Sequence, residues 1–319
     1  MPPTAPPAAP AERDGAPQAP PEAPRVNQAV YEENGRMYGC FRRGKYMFPV
    51  DELEKDKLDI FHRFFTLILN HRLFRAALLD QETPRILDLG CGTGIWAIDV
   101  AELYPRAHVL GLDLNLIQPE FIPPNVRFQQ VDIEVPWQNL DPGSWDLINM
   151  RTLAGSIANW PRLYAEVFRH LRPYHGHLEQ VEINFTPRCD DHTMPPNFAL
   201  KRWANDVMDA MDGFDRPLRV DSEATKRRLA EAGFVDIVEE ILPFPINGWP
   251  EDPTRRELGR WFTLGFITGL EGLTMAPLFR GRDMSATDIR TFVQRVNVES
   301  RAIKIHAYMT VHIFKARKP

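Results

Sequence analysis

Three glycines at every second position, Gly90, Gly92 and Gly94, directly follow a short apolar run in this chain of 319 residues. Because glycine has no Cβ, backbone amides in such a turn can approach a ligand closely, and a helix that begins there adds its free N–H groups. An apolar strand that runs into a glycine-rich turn and then a helix is typical of a nucleotide or nucleoside site. We therefore expect such a ligand on this turn. The other candidate contacts in the turn are Asp88, Cys91 and Thr93.

The residues around the glycines distinguish two nucleoside cofactors. A dinucleotide site requires the pattern G-x-G-x-x-G, and Ile95 takes the place of its last glycine in this chain. Asp88 lies two residues before Gly90, and a carboxylate there suits a ligand with an ammonium and a sulfonium better than it suits a pyrophosphate. The spacing resembles motif I of the class I S-adenosylmethionine-dependent methyltransferases. This resemblance favours S-adenosylmethionine as the cofactor, with NAD as the alternative.

Two further carboxylates follow predicted strands and extend the candidate cofactor site. Asp113 lies 23 residues after Gly90, close to the roughly 20 residues expected for a carboxylate that accepts from ribose hydroxyls. Asp132 and Ile133 follow the next strand, where the methyltransferase resemblance implies contact with the adenine amine and ring. The remaining candidate contacts are Leu114, Arg151 and Tyr38.

Apolar runs alternate with helical patterns after residue 84, which predicts a parallel sheet with helices on both faces. The predicted strands are residues 86–89, 108–112, 126–131, 146–150, 177–183, 235–243 and a long last strand over 303–314. The predicted helices cover residues 52–79, 95–104, 161–171, 198–212, 222–233, 254–272 and 285–299, with Asp51 and Ser222 as caps. The pattern therefore predicts an α/β, Rossmann-like fold with helical additions, and the resemblance to class I methyltransferases implies their fold, with a mostly parallel seven-stranded sheet.

Composition divides the chain into three parts. Residues 1–25 contain nine Pro and seven Ala, and they cannot bury enough apolar surface to offset the entropy of ordering, so we expect a disordered tail. Residues 26–80 are expected to form a lid and helices, and residues 81–319 the cofactor-binding domain. The expected lid residues are Tyr38, Arg42 and Tyr46. The expected helical insertions cover about residues 187–221 and 244–302.

Charge, hydropathy and cysteine content exclude several classes of protein. The formal net charge of −5 gives no overall attraction to nucleic acid or anionic lipid. We find no apolar stretch near the roughly 18 residues of a membrane span and no signal-peptide pattern, which favours a soluble intracellular protein. The three cysteines are scattered, so neither a disulfide framework nor a metal site is expected.

The residues do not assign a catalytic group. Methyl transfer from a positive sulfur needs mainly orientation and exclusion of water, and any proton acceptor belongs near the ends of the fourth and fifth strands. Glu179 and Glu182 lie there on opposite faces of a strand, so at most one faces the site, and a solvated or salt-bridged carboxylate is the favoured interpretation of each. The groups interpreted as packing residues or surface polar groups are Cys91, Trp96, His175, His177, Cys189–His192 and Lys226–Arg228.

Over residues 31–318 the chain resembles the fungal LaeA-type methyltransferases. The segments that carry the resemblance are Gly35–Tyr38, Tyr46–Pro49, Asp56–His62, Ile86–Ala97, Asp113–Pro119, Asp132–Glu134 and Glu179–Ile183. The resemblance implies a nuclear, S-adenosylmethionine-binding regulator of secondary metabolism and development. It also implies velvet-domain proteins as partners and leaves the methyl acceptor unassigned. The net charge and the hydropathy, not the resemblance, argue against direct nucleic-acid or membrane binding. A stand-alone small-molecule methyltransferase and a non-catalytic cofactor-binding scaffold are the alternatives on the same fold.

Overall fold

Residues 29–78 and 82–319 are described by this computed structural model. The elements follow one another as β1 (Val30–Glu33), β2 (Arg36–Gly39), α1 (Glu52–Ile68), β3 (Arg85–Leu89), α2 (Ile95–Leu103), β4 (His108–Asp113), β5 (Val126–Gln130), β6 (Leu147–Arg151), α3 (Trp160–His170), β7 (His177–Arg188), α4 (Ala199–Asp212), α5 (Ser222–Glu231), β8 (Val235–Pro245), α6 (Pro253–Arg282), α7 (Ala286–Ser300) and β9 (Tyr308–Arg317). The predicted disordered tail lies outside the described residues.

The main sheet has seven strands among the described residues, in the order β5-β4-β3-β6-β7-β9-β8. Strands β3 to β7 pair in parallel, whereas β9 runs antiparallel to both of its neighbours, β7 and β8. The chain moves outward from β3 to β4 and β5, and then returns to β6 on the other side of β3. Such a reversal leaves a crevice at the carboxyl ends of β3 and β6, where ligands of open α/β sheets bind. The predicted fold class is confirmed.

The inner parallel strands β3, β4 and β6 are largely apolar because both of their faces are covered, whereas β5, at the edge of the sheet, includes exposed polar residues. Within β3, Ile86 packs in one cluster with Trp96 of α2, while Leu87 packs in a second cluster with Leu163 of α3. Strands that are buried on both faces need near-continuous apolar runs, which is the pattern that predicted them. The indole of Trp96 also donates to the Leu73 carbonyl at 2.7 Å, which confirms its packing role.

A β-hairpin precedes α1 where the sequence indicated no regular element. Strands β1 and β2 pair antiparallel around Asn34 and Gly35, whose φ angles of 54° and 79° are both positive. Asn-Gly between two short strands is a strong signal for a tight hairpin turn, and it was available in the sequence. Arg36 then forms an ion pair with Asp51 at 2.7 Å, which joins the hairpin to the N-cap of α1.

A helical layer of α1, α4, α6 and α7 forms a second core above the carboxyl edge of the sheet. Helix α6 lies close to α1 and the loop before it through Gly265, Gly269 and Gly272, where added Cβ atoms would meet Phe61, Lys57 and Pro49. By length and composition, α6 is the one helix of the described residues that could cross a membrane, which corrects the sequence expectation. In the most apolar 18-residue stretch of α6, 67% is buried inside the protein, so we interpret α6 as a core helix.

Several element boundaries differ from the prediction. Helix α1 ends at Ile68 instead of continuing to residue 79, and β9 begins at Tyr308 instead of residue 303. Asp221, not Ser222, caps α5, because its side chain accepts the Ala224 amide. Asp51 caps α1 by accepting the Glu54 amide, as predicted. These boundaries depend on packing against distant elements, which local periodicity does not report.

Candidate cofactor site

All three glycines of the turn between β3 and α2 adopt left-handed backbone angles. Their φ values are 66° at Gly90, 56° at Gly92 and 78° at Gly94. Residues with a Cβ rarely adopt these angles, so the turn requires glycine at each position. The amides of Gly90 and Cys91 donate to the Leu112 carbonyl at 2.7 and 3.1 Å, which fixes the turn against β4.

Asp113 ends β4 and holds the glycine turn from the other side. Its carboxylate accepts the Gly92 amide and the Asn115 amide, each at 2.8 Å. Burial raises the pKa of Asp113 to about 6, although these backbone hydrogen bonds favour the ionised form. With Leu114, the carboxyl group lines a cavity at the place where the sequence predicts ribose hydroxyls.

Asp88 lies in β3, two residues before the glycine turn, and is buried. Asn149 of β6 donates from Nδ2 to Asp88 Oδ1 at 2.7 Å. Burial raises the pKa of Asp88 to about 7, and the Asn149 hydrogen bond and the charge of Arg151 act against this rise. A cationic ligand group beside Asp88 would therefore stabilise its ionised form.

Asp132 and Ile133 follow β5 and line the same cavity as Asp113. Asp132 has a cationic partner that the sequence did not reveal, because the Lys45 ammonium pairs with its carboxylate. Lys45 also lies 3.1 Å from Glu134, a residue of the segment Asp132–Glu134. The loop that carries Lys45 therefore lies over the part of the cavity where the adenine amine is expected.

Arg151 ends β6 and takes part in a partly buried polar chain that sequence reasoning missed. Its Nη1 and Nη2 atoms lie 3.2 Å from His62 Nδ1, and His62 Nε2 lies 2.8 Å from Asp99 Oδ2. Because a guanidinium can only donate, Nδ1 accepts and Nε2 carries the proton that is donated to Asp99. Burial lowers the pKa of His62, so this histidine is neutral near pH 7. The segment Asp56–His62 contributed to the family resemblance, but the sequence did not reveal the contact between His62 and Arg151.

Tyr46 lies at the site, whereas Tyr38 does not. Tyr46 lines both of the cavities that meet at the glycine turn. Tyr38 is buried between the hairpin and α6, with its ring 5.6 Å from that of Tyr31 and 5.1 Å from the Arg280 guanidinium carbon. The predicted contact between Tyr38 and a cofactor is therefore corrected to a packing role, because β2 directs this side chain onto α6. Arg42 is exposed and lies 3.7 Å from Asp132.

Two adjoining cavities meet at the glycine turn. The polar cavity contains Asp113, Asp132 and Ile133, together with Lys45 and Glu54. The apolar chamber contains Asp88 and is otherwise lined mainly by aromatic and aliphatic side chains of α1, β7 and α6. The residues that line both cavities are Tyr46, Leu58, Gly90, Gly92, Arg151 and Thr152. A ligand in the polar cavity and a second ligand in the apolar chamber would therefore meet at the turn.

Glu179 and Glu182 are both buried, which corrects the expectation of solvated or salt-bridged carboxylates. Glu182 lines the apolar chamber and accepts the Leu153 and Ala154 amides at 3.2 and 3.1 Å. Glu179, on the opposite face of β7, accepts the Arg75 amide at 2.7 Å and that of the next residue. Burial raises the pKa of each carboxyl group to about 7. One of the two faces the site, as the spacing predicted.

Of the remaining sequence candidates, Cys91 and Thr93 line the apolar chamber at the glycine turn and also make structural contacts. Cys91 is buried, and burial raises the pKa of its thiol well above the usual range, which makes a nucleophilic role unfavourable near pH 7. Thr93 donates to Asp59 at 2.6 Å and so ties the turn to α1. His177 begins β7 and is half-buried, and the candidates on loops or helix surfaces are His175, Cys189–His192 and Lys226–Arg228. Within the described part of the chain, no group of three or more potential metal ligands is found.

Comparison with known proteins gives matches over most of the chain. A family model described as a methyltransferase domain matches residues 60–239. The secondary metabolism regulator LAE1 of Cochliobolus heterostrophus is 48% identical over 294 residues, which cover 91% of this chain and 95% of that protein. The secondary metabolism regulator laeA of Aspergillus flavus is 44% identical, over 92% of this chain and 78% of that protein.

Solved structures that are similar to this chain are more distant in sequence. A geranyl diphosphate methyltransferase in complex with SAM is 15% identical, with a TM-score of 0.46 over 83% of this chain and 90% of that chain. A phosphoethanolamine N-methyltransferase of Haemonchus contortus in complex with S-adenosyl-L-methionine is 17% identical, with a TM-score of 0.45 over 83% and 52% of the respective chains.

Proposed function

The chain belongs to the LaeA family of secondary metabolism regulators and has a methyltransferase domain, and from this premise we propose that it is an S-adenosylmethionine-dependent methyltransferase. The observation that carries the proposal is the alignment of Asp88, the glycine turn and Asp113 at the carboxyl edge of neighbouring parallel strands. Asp132 continues this row after the next strand. NAD is disfavoured, because a buried carboxyl group beside the turn would face its pyrophosphate.

The side chains that line the site fit each part of S-adenosylmethionine. Asp113 offers acceptor oxygens to ribose hydroxyls, and Ile133 offers an apolar surface to the adenine ring. Asp88, beside the junction of the two cavities, suits the ammonium and sulfonium charges. Arg151 lines both cavities and offers a cation to the amino-acid carboxylate. When bound, the cofactor supplies an electrophilic methyl group.

The protein's own contribution is to orient the reactants and to exclude water. The walls of the apolar chamber come from the sheet, from α1 and α6 and from the loop with Tyr46, so an acceptor is enclosed on several sides. Glu182 lies in that chamber with a pKa of about 7, so it can take up a proton near neutral pH. Enclosure and proton uptake suit transfer to an acceptor that must lose a proton.

We further propose that the protein acts in the nucleus in a heteromeric complex with velvet-domain proteins and regulates secondary metabolite gene clusters and development. Support comes from the family, whose members include secondary metabolism regulators of Cochliobolus heterostrophus and Aspergillus flavus. The net charge of −5 also agrees with regulation through protein partners rather than through direct contact with DNA. Co-purification of tagged chain with velvet-domain proteins from nuclear extract tests this part. Recovery of the chain alone, from cytosol, would contradict it.

Substitution of Asp113 tests the proposed cofactor site. In Asp113→Asn the side chain loses one acceptor oxygen and its charge, so we expect S-adenosylhomocysteine affinity to fall at least tenfold in calorimetry. Asp141→Asn is the matched control, because Asp141 is exposed and lies outside both cavities. Equal affinity of both variants would contradict the assignment of Asp113 to the ribose.

A further inference from the structure

The walls of the apolar chamber consist largely of side chains that are buried in the protein, and the chamber is partly open to solvent. Six of its wall residues are at most 7% exposed although they line an open space: Phe48, Phe61, Phe65, Phe185, Leu218 and Leu273. Four of these six are phenylalanines, contributed by α1, by β7 and by the loop before α1. Such a space accepts a compact molecule with a flat apolar body more readily than an extended peptide backbone with unpaired amides.

One cationic side chain of α1 interrupts the apolar wall. Lys57 is 5% exposed and its ammonium pairs with Glu54, which is 1% exposed. The ammonium also lies 5.8 Å from the Phe48 ring centre. Glycine at position 269 of α6 leaves the room that the Lys57 stem occupies, because an added Cβ would collide with it.

A buried ion pair stabilises a fold less than apolar side chains of equal size would. An ammonium has three N–H donors, and Glu54 accepts from Lys57 through Oε1. Within the described residues, Glu54 Oε2 is buried without a hydrogen-bond partner. The pair therefore costs stability, and its position at the wall of the chamber indicates a role in ligand recognition.

We propose that the methyl acceptor is a compact aromatic molecule with an acidic hydroxyl group, held in the apolar chamber with its oxygen toward Lys57. This inference rests on the proposed function and names the substrate class of the same site. The phenylalanine walls pack on the ring system, and the Lys57 ammonium stabilises the oxygen as it loses its proton. Arg151 at the junction adds a second cation next to the chamber.

The transfer step balances without a further reactant. The hydroxyl proton goes to the Glu182 carboxylate, and the resulting oxyanion attacks the methyl carbon of the sulfonium. The O–CH₃ bond forms as the S–CH₃ bond breaks, with the bonding pair remaining on sulfur. The products are a neutral aryl methyl ether and S-adenosylhomocysteine, and the proton on Glu182 is then released to water.

Binding of 2-naphthol to the full chain saturated with S-adenosylhomocysteine tests the inference, because this product complex cannot turn over. We expect 2-naphthol to bind at least tenfold more tightly than 2-(aminomethyl)naphthalene, which carries a cation on the same ring system. Leu273→Trp fills the chamber and should abolish naphthol binding. Leu264→Trp is the matched control, because Leu264 lies on the same helix but is 50% exposed, and it should leave naphthol binding unchanged.

The charge of Lys57 is tested in Lys57→Met combined with Glu54→Gln, which removes both members of the pair and leaves no unpaired charge. We expect its preference for naphthol over the amine to fall below about threefold. Tighter binding of the amine by the unsubstituted chain, or displacement of naphthol by a lysine-containing peptide, would overturn the inference.

Separate titration with S-adenosylhomocysteine distinguishes a wrong acceptor class from a wrong proposed function. If S-adenosylhomocysteine binds and 2-naphthol does not, the acceptor class is wrong while the cofactor site stands. If S-adenosylhomocysteine itself does not bind, the proposed function is wrong.

Discussion

Asp88 is a buried and Asp113 a half-buried carboxyl group on adjacent strands, with pKa values of about 7 and about 6. Burial disfavours the ionised form of each group, and among the described residues no lysine or arginine forms an ion pair with either. A ligand with cationic and hydroxyl groups offsets this penalty. The two carboxyl groups therefore explain why the site favours a ligand with cationic and hydroxyl groups. They also explain why the ligand-free site is destabilising when both groups are ionised.

Cofactor affinity should depend on pH through these two carboxyl groups. A group with a pKa of about 6 is roughly one-tenth ionised at pH 5 and almost fully ionised at pH 8. We expect the affinity for S-adenosylmethionine to fall at least about tenfold between pH 8 and pH 5 in calorimetry. Asp113→Asn should flatten this dependence, and an unchanged slope in that variant would contradict the role of Asp113.

In the ligand-free protein, Asp88 and Asp113 have the opposite effect on pH dependence, because they favour folding at low pH. Their pKa values in the folded state lie above the ordinary 3.8, so the folded state holds their protons more tightly than the unfolded state does. Their contribution to stability is therefore most favourable below about pH 4 and is lost as the pH rises to about 7.

Gly90→Ala should destabilise the fold as well as the cofactor site. We expect a loss of about 1–2 kcal/mol in the free energy of unfolding from the left-handed backbone and a further loss of about 1–3 kcal/mol from overpacking against Leu153. Gly143→Ala is the control, because its φ is also 66° but the nearest atom, on Pro173, is 3.6 Å from the added Cβ. Equal losses in urea unfolding would show that the contact with Leu153 is unimportant.

At the scale of elements, the strands of the sheet and the helices of the second core were predictable, whereas the side-chain contacts that join the sheet to α1 and the loop before it were not. The apolar runs of β3 to β7 and the glycines between β3 and α2 are local patterns, so the sequence located the strands and the row of carboxylates. The contacts of Lys45 with Asp132 and of His62 with Arg151 join residues 87 and 89 positions apart. Such contacts arise because α1 and the preceding loop pack onto the sheet. Local sequence periodicity does not predict this packing.

The close packing of α6 on α1 is tested by Gly269→Ala. Helix propensity alone would stabilise this variant by about 1 kcal/mol. The collision of the new Cβ with the Lys57 stem should cost about 1–3 kcal/mol. We expect a net fall in the midpoint of thermal unfolding and weaker binding in the apolar chamber. A rise in the midpoint would contradict this helix contact.

At the scale of the whole molecule, the fold combines a cofactor crevice with an enclosed chamber. The sheet supplies the polar cavity, and the helical layer closes the apolar chamber above it. Glu182 illustrates what the sequence left undecided, because its spacing from Glu179 placed one carboxylate toward the site but did not reveal that the backbone of the loop after β6 holds it. The acceptor space is built from α1, β7 and α6, which lie far apart in the chain.

Calorimetric titration of the purified chain with S-adenosylhomocysteine and, separately, with NADH tests the central claim most directly. We expect saturable one-to-one binding of S-adenosylhomocysteine and no measurable heat from NADH under the same conditions. Saturable binding of NADH without binding of S-adenosylhomocysteine would contradict it.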